Sequence, residues 1–80
     1  MGRRFTAEDK TEMTFELVEE IDGCRRFKIS VKGHLDRLMV LVDNNKGLEA
    51  SYNTLEIQLA WGINYFESLP VYTNSVGQLI

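Results

Sequence analysis

The sequence holds one cysteine, one histidine and one proline among its 80 residues, and each scarcity removes a class of protein. A lone Cys24 makes no internal disulfide, and small secreted domains usually depend on several, so the expected setting is a reducing cytoplasm. One Cys and one His supply only two of the usual four zinc ligands, so neither a metal nor a cofactor is expected. The longest purely apolar run, Leu38 to Val42, is far short of the roughly 20 residues a membrane span requires. No apolar segment follows the N-terminus as in a signal peptide, and no membrane association is expected. Met1-Gly2-Arg3-Arg4-Phe5-Thr6 does fit the Met-Gly-x-x-x-Ser/Thr acylation pattern, but so few loosely specified positions match by chance often.

Positive charge is also short. Nine Lys+Arg against twelve Asp+Glu give a net charge of −3, without the basic footprint of a duplex-binding domain and without the acidity of a DNA mimic. The folded part has one basic cluster, Arg25-Arg26-Phe27-Lys28 with Lys32. Catalytic groups are few. His34-Leu35-Asp36 and Cys24 offer a base, a carboxylate and a thiol, but no glycine-rich oxyanion loop or second His accompanies them, and no catalytic residue is assigned. The glycines are too scattered for a phosphate loop.

What remains is a pattern. Residues 1–11 carry charge without period and read as a mobile lead-in, with a turn of helix at Thr6-Ala7-Glu8-Asp9; residues 12–80 read as a single α+β domain. From Glu12 to Lys32 apolar and polar residues alternate on both sides of Ile21-Asp22-Gly23, as in a β-hairpin. A two-residue Asp22-Gly23 loop sets Glu16 opposite Ile29 and mixes the faces. A three-residue loop puts Met13 opposite Val31, Phe15 opposite Ile29 and Leu17 opposite Phe27, all apolar. The other face then pairs Glu12 with Lys32, Glu16 with Lys28 and Thr14 with Ser30, so glutamates answer the basic cluster, and Gly23 takes a positive φ.

Leu38 to Val42 reads as a buried third strand, with a helix from Leu35 as the competing reading. From Leu48 to Leu69 the row Leu48, Tyr52, Leu55, Leu59, Gly62, Phe66 and Leu69 predicts one long helix, with a capping arrangement at Asn53-Thr54-Leu55-Glu56 and Pro70 as its stop. A strict alternation through Leu55, Ile57, Leu59, Trp61, Ile63 and Tyr65 is the strand alternative. Val71-Tyr72-Thr73 suits a short edge strand. The fold class is therefore a small two-layer ββ(β)α domain, an antiparallel hairpin plus a third strand packed on one long helix.

That helix carries a second apolar row, Ile57, Trp61 and Tyr65, at i, i+4 and i+8. A sheet covers only one side of a helix, so this row needs another partner: either residues 70–80 folding back, or an association surface. Trp and Tyr dominate binding hot spots, and the three residues are the candidate partner-binding site. By elimination the function expected is a small non-enzymatic protein-binding module, an inhibitor or regulator of a larger protein machine of accessory, mobile-element or phage type. The alternatives are a self-assembling structural subunit, for instance a homodimer, and then a weak nucleic-acid binder.

Overall fold

The computed structural model describes residues 2–42 and 46–72. Alternation makes the hairpin. Strands β2 (Glu12–Ile21) and β3 (Cys24–Ser30) pair antiparallel, with Phe15 opposite Ile29, Leu17 opposite Phe27, Thr14 opposite Ser30 and Glu16 opposite Lys28. These pairs follow the sequence reading, but the loop does not. The turn has two residues, Asp22 at φ 53° and Gly23 at φ 77°, and Ile21 stands opposite Cys24. The extra residue sits instead at Val18, a bulge between Leu17 and Glu19. A two-residue turn and an apolar inner face are thus reconciled by one unpaired residue in mid-strand. Beyond Ser30 the ladder ends, so the expected Met13–Val31 and Glu12–Lys32 pairs are absent from it.

Met13 and Glu12 pair elsewhere. Strand β1 (Gly2–Thr6) lies antiparallel on β2, with Phe5 opposite Met13 and Arg3 opposite Phe15, so residues 2–6 are an edge strand rather than a mobile lead-in. Arg3 and Arg4 mask its alternation, as charges on edge strands commonly do. Strand β4 (Arg37–Val42) completes a four-stranded sheet in the order β1-β2-β3-β4. It is a strand, as expected, but it lies at the edge: Met39 is buried while Val40 and Val42 are exposed. An uninterrupted apolar run suits either a strand buried on both faces or an edge strand with one bare face, and the second case holds.

Two helices cover the inner face. Helix α1 (Leu48–Leu59) buries Ser51, Tyr52, Leu55 and Leu59, and helix α2 (Ile63–Ser68) buries Phe66. With Met13, Phe15, Phe27, Ile29 and Met39 these apolar side chains form the core, each large one contributing roughly 1.5–3 kcal/mol. The expected single helix is broken at Gly62, whose φ of 100° no helical residue adopts. It starts at Leu48 as read, but Asn53 does not cap it: Gly47 precedes the first turn, and Thr54 Oγ1 donates to the Ala50 carbonyl. Leu69 is extended, as a residue before proline must be, and ends α2. The chain then reaches β4, where Val71 pairs with Arg37; Thr73 lies outside the described residues.

Arginines join the layers. Buried Arg25 donates from Nε to Glu20 at 2.8 Å and from Nη1 to Ser51 Oγ at 2.8 Å and the Gly47 carbonyl at 3.2 Å. Arg37 Nη1 donates to the carbonyls of Glu67 and Leu69 at 3.0 and 2.8 Å, satisfying the open end of α2. On the outer face Arg26 pairs with Glu19 at 2.8 Å and Lys28 with Glu16 at 3.4 Å.

Candidate protein-binding face

The segment between the helices decides which apolar residues stay outside. Gly62 turns the chain by its positive φ, and α2 leaves the line of α1. Ile57, one turn before the break, is 74% exposed and Trp61, at the break, is 80% exposed. Tyr65 falls on α2, half-buried against the core, with its hydroxyl donating to Gln58 Oε1 at 3.2 Å. The three-residue row requires an unbroken helix; the structure leaves Ile57 and Trp61 outermost and makes Tyr65 a support.

The break is clamped from the β1–β2 connection. Glu8 N donates to the Ala60 carbonyl at 3.1 Å, closing the last turn of α1. Asp9 Oδ2 accepts the Ile63 N–H at 3.0 Å, and Oδ1 accepts the Thr11 N–H at 3.0 Å. The Thr11 hydroxyl, then the backbone N–H groups of Ile63 and Thr11, hold the Asp9 carboxyl below its ordinary value. Lys10 takes a positive φ of 74° to make the turn. Trp61 therefore projects from a fixed backbone.

Beside it runs an open groove of about 650 Å³ between the β1 end and α1, lined by Phe5, Ala7, Ile57 and Ala60 with Thr6, Glu8, Asn53 and Glu56. The β1 contribution is hidden in the sequence because Phe5 is a single apolar residue among charges. Near it, Arg3 pairs with Glu49 and Glu56 and lies over the Tyr52 ring at 4.9 Å. The hydrogen bond to Glu49 is the main cause of its raised pKa.

The residues considered for catalysis do not meet. Cys24 begins β3 and His34 lies beyond its end, separated by at least about 20 Å of extended chain. His34 Nδ1 faces Glu67 Oε2 at 3.5 Å and its ring meets Phe66 edge-on. Among the described residues no three His, Cys, Asp or Glu side chains converge, and no helix is long and apolar enough to cross a membrane. The fold is a small α+β domain, a four-stranded antiparallel sheet with two helices on one face. Comparison with family models, with curated proteins and with solved structures finds no match to this chain.

Proposed function

We propose that the protein is a non-enzymatic protein-binding module that regulates or inhibits a larger protein by docking through Ile57 and Trp61. The observation that carries this reading is the exposure of Trp61 at 80% on a clamped helix break. An aromatic of this size has about 150–250 Å² to bury, and tryptophan is among the residue types enriched at binding hot spots. The neighbouring groove, apolar at Phe5, Ala7 and Ile57, gives a partner's side chain a place beside Ile57. The experiment compares affinity capture by the wild type, Trp61→Ala and Ile57→Ala, each checked for folding by circular dichroism. The expected result is a stoichiometric partner that both variants lose, by roughly thirtyfold or more for Trp61→Ala, while the melting curve stays put. Leu59→Ala, in the core, should instead lose about 2–5 kcal/mol of stability. Capture that is indifferent to Trp61, or unfolding of Trp61→Ala like that of Leu59→Ala, defeats the proposal.

A further inference from the structure

The two edges of the sheet are built differently. Edge β1 carries Arg3 and Arg4, the charges by which edge strands avoid pairing. Edge β4 has no charge from Leu38 to Val42. Its first half is occupied: Leu38 N donates to the Pro70 carbonyl at 2.9 Å and Tyr72 N donates to the Asp36 carbonyl at 2.8 Å. These bonds show that the backbone groups of the even-numbered residues point away from β3. By the two-residue period, Val40 and Val42 aim their N–H and C=O groups at the same open side. Among the described residues nothing pairs with them. Their side chains, 50% and 65% exposed, share the outer face with Cys24 and with Ile21, 54% exposed.

We infer that β4 is a homodimer edge, at which a second copy of this chain adds its own β4 antiparallel to form an eight-stranded sheet. The lack of charge on this edge suits a second copy of the same chain. A two-fold axis sets the same segment of each copy against the other, so an edge carrying charge of one sign would repel itself, whereas Leu38 to Val42 is neutral throughout. The cations nearest on the outer face, Arg26 and Lys28, are already paired with Glu19 and Glu16. Nothing there recruits an acidic strand. The register follows from the occupied half. With the axis at Leu41, Val40 stands opposite Val42 of the second copy, four backbone hydrogen bonds form, and the Leu38–Pro70 bond is undisturbed. Four valines then close the outer face between the two hairpins. A contact of this width is smaller than the ~800 Å² per partner of a standard interface, so the dimer is expected to be a weak one. The Ile57–Trp61 face, beside β1, lies at the opposite edge of the sheet and stays free.

The test uses the full chain carrying Cys24→Ser, with Val40→Cys or Val42→Cys added, both exposed positions. Pairing at Leu41 places the thiol introduced at position 40 of one copy beside the thiol introduced at position 42 of the other, with about 5.5 Å between Cα atoms, within disulfide reach. Mixing the two variants under oxidation should give a cross-linked dimer about tenfold faster than either alone. Light scattering at concentrations on the order of 100 μM should show about twice the 9.2 kDa chain mass, falling to one chain mass in Val40→Lys but not in Trp61→Ala. A wild-type monomer at that concentration, equal cross-linking of the single variants, or a dimer lost in Trp61→Ala and kept in Val40→Lys would each overturn it. Because the two faces are read by separate variants, failure here leaves the docking proposal standing, and the reverse.

Discussion

Asp9 fills the space that a side chain at residue 62 would need: a Cβ on Gly62 would collide with the Asp9 carboxylate, Oδ2 first. The same oxygen accepts the Ile63 N–H. Gly62 is therefore fixed twice, by its positive φ and by the carboxylate pressed against it. Gly62→Ala should cost roughly 1–3 kcal/mol and shift the Trp61 emission as the clamp is displaced. Asp9→Ala removes the obstacle, so in chemical denaturation the double variant should lose less than the sum of the two single losses.

The lowered pKa of Asp9 makes this clamp acid-sensitive. A carboxylate held below its ordinary 3.8 contributes stability that is complete above that value and disappears as pH falls through the lower folded value. Melting temperature should drop more steeply between about pH 5 and about pH 2.5 in the wild type than in Asp9→Asn, which cannot titrate. Parallel curves would show that Asp9 is bound no better in the folded chain than in the unfolded one.

Both residues of the β2–β3 turn have positive φ, 53° at Asp22 and 77° at Gly23. Gly23→Ala should destabilise by roughly 1 kcal/mol. Asp22→Ala should be felt as well, because aspartate tolerates the left-handed region better than alanine, while Asp22→Asn should be neutral. The three-residue loop read from the sequence would make Asp22→Ala cost less than Gly23→Ala, so urea midpoints for this pair distinguish the two turns.

Arg25 is the polar link between sheet and helix. Arg25→Ala strips the guanidinium from the Ser51 hydroxyl and the Gly47 carbonyl, and a cost of roughly 1–3 kcal/mol follows from leaving the buried Ser51 hydroxyl unmet. Lysine lacks the planar fork that reaches Glu20 and Ser51 together, so Arg25→Lys should recover only part of the loss in equilibrium unfolding.

Face periodicity was legible wherever one side of an element is buried. Phe15, Leu17, Phe27 and Ile29 on the hairpin, and Tyr52, Leu55, Leu59 and Phe66 on the helices, fall where alternation and the four-three spacing put them. Strand β1 was not legible, because beside Phe5 its inner face carries Arg3, which lies over the Tyr52 ring, while Arg4 faces outward. The helix break was half visible. Gly62 weakened the pattern, but the reason it must be glycine, the Asp9 carboxylate, comes from a distant part of the chain. The candidate face shows the same division: exposed Ile57 and Trp61 follow from angular position, whereas the groove beside them required knowing that residues 5–8 fold against α1.

The bulge at Val18 makes the hairpin tolerant of a change in length at one place. Val18 has no partner in the ladder, and its neighbours already stand in the order of a regular one, Leu17 opposite Phe27 and Glu19 opposite Arg26. Excising Val18 would join those two pairs directly, keep the Asp22-Gly23 turn and turn no side chain over. Excising Glu16 would invert every residue on one side of the gap and bury charge. A deletion scan along β2 should therefore find one permitted loss, at the bulge, with the strands on either side intolerant of any. Length variants of this chain that still fold should differ there before they differ anywhere else in the sheet.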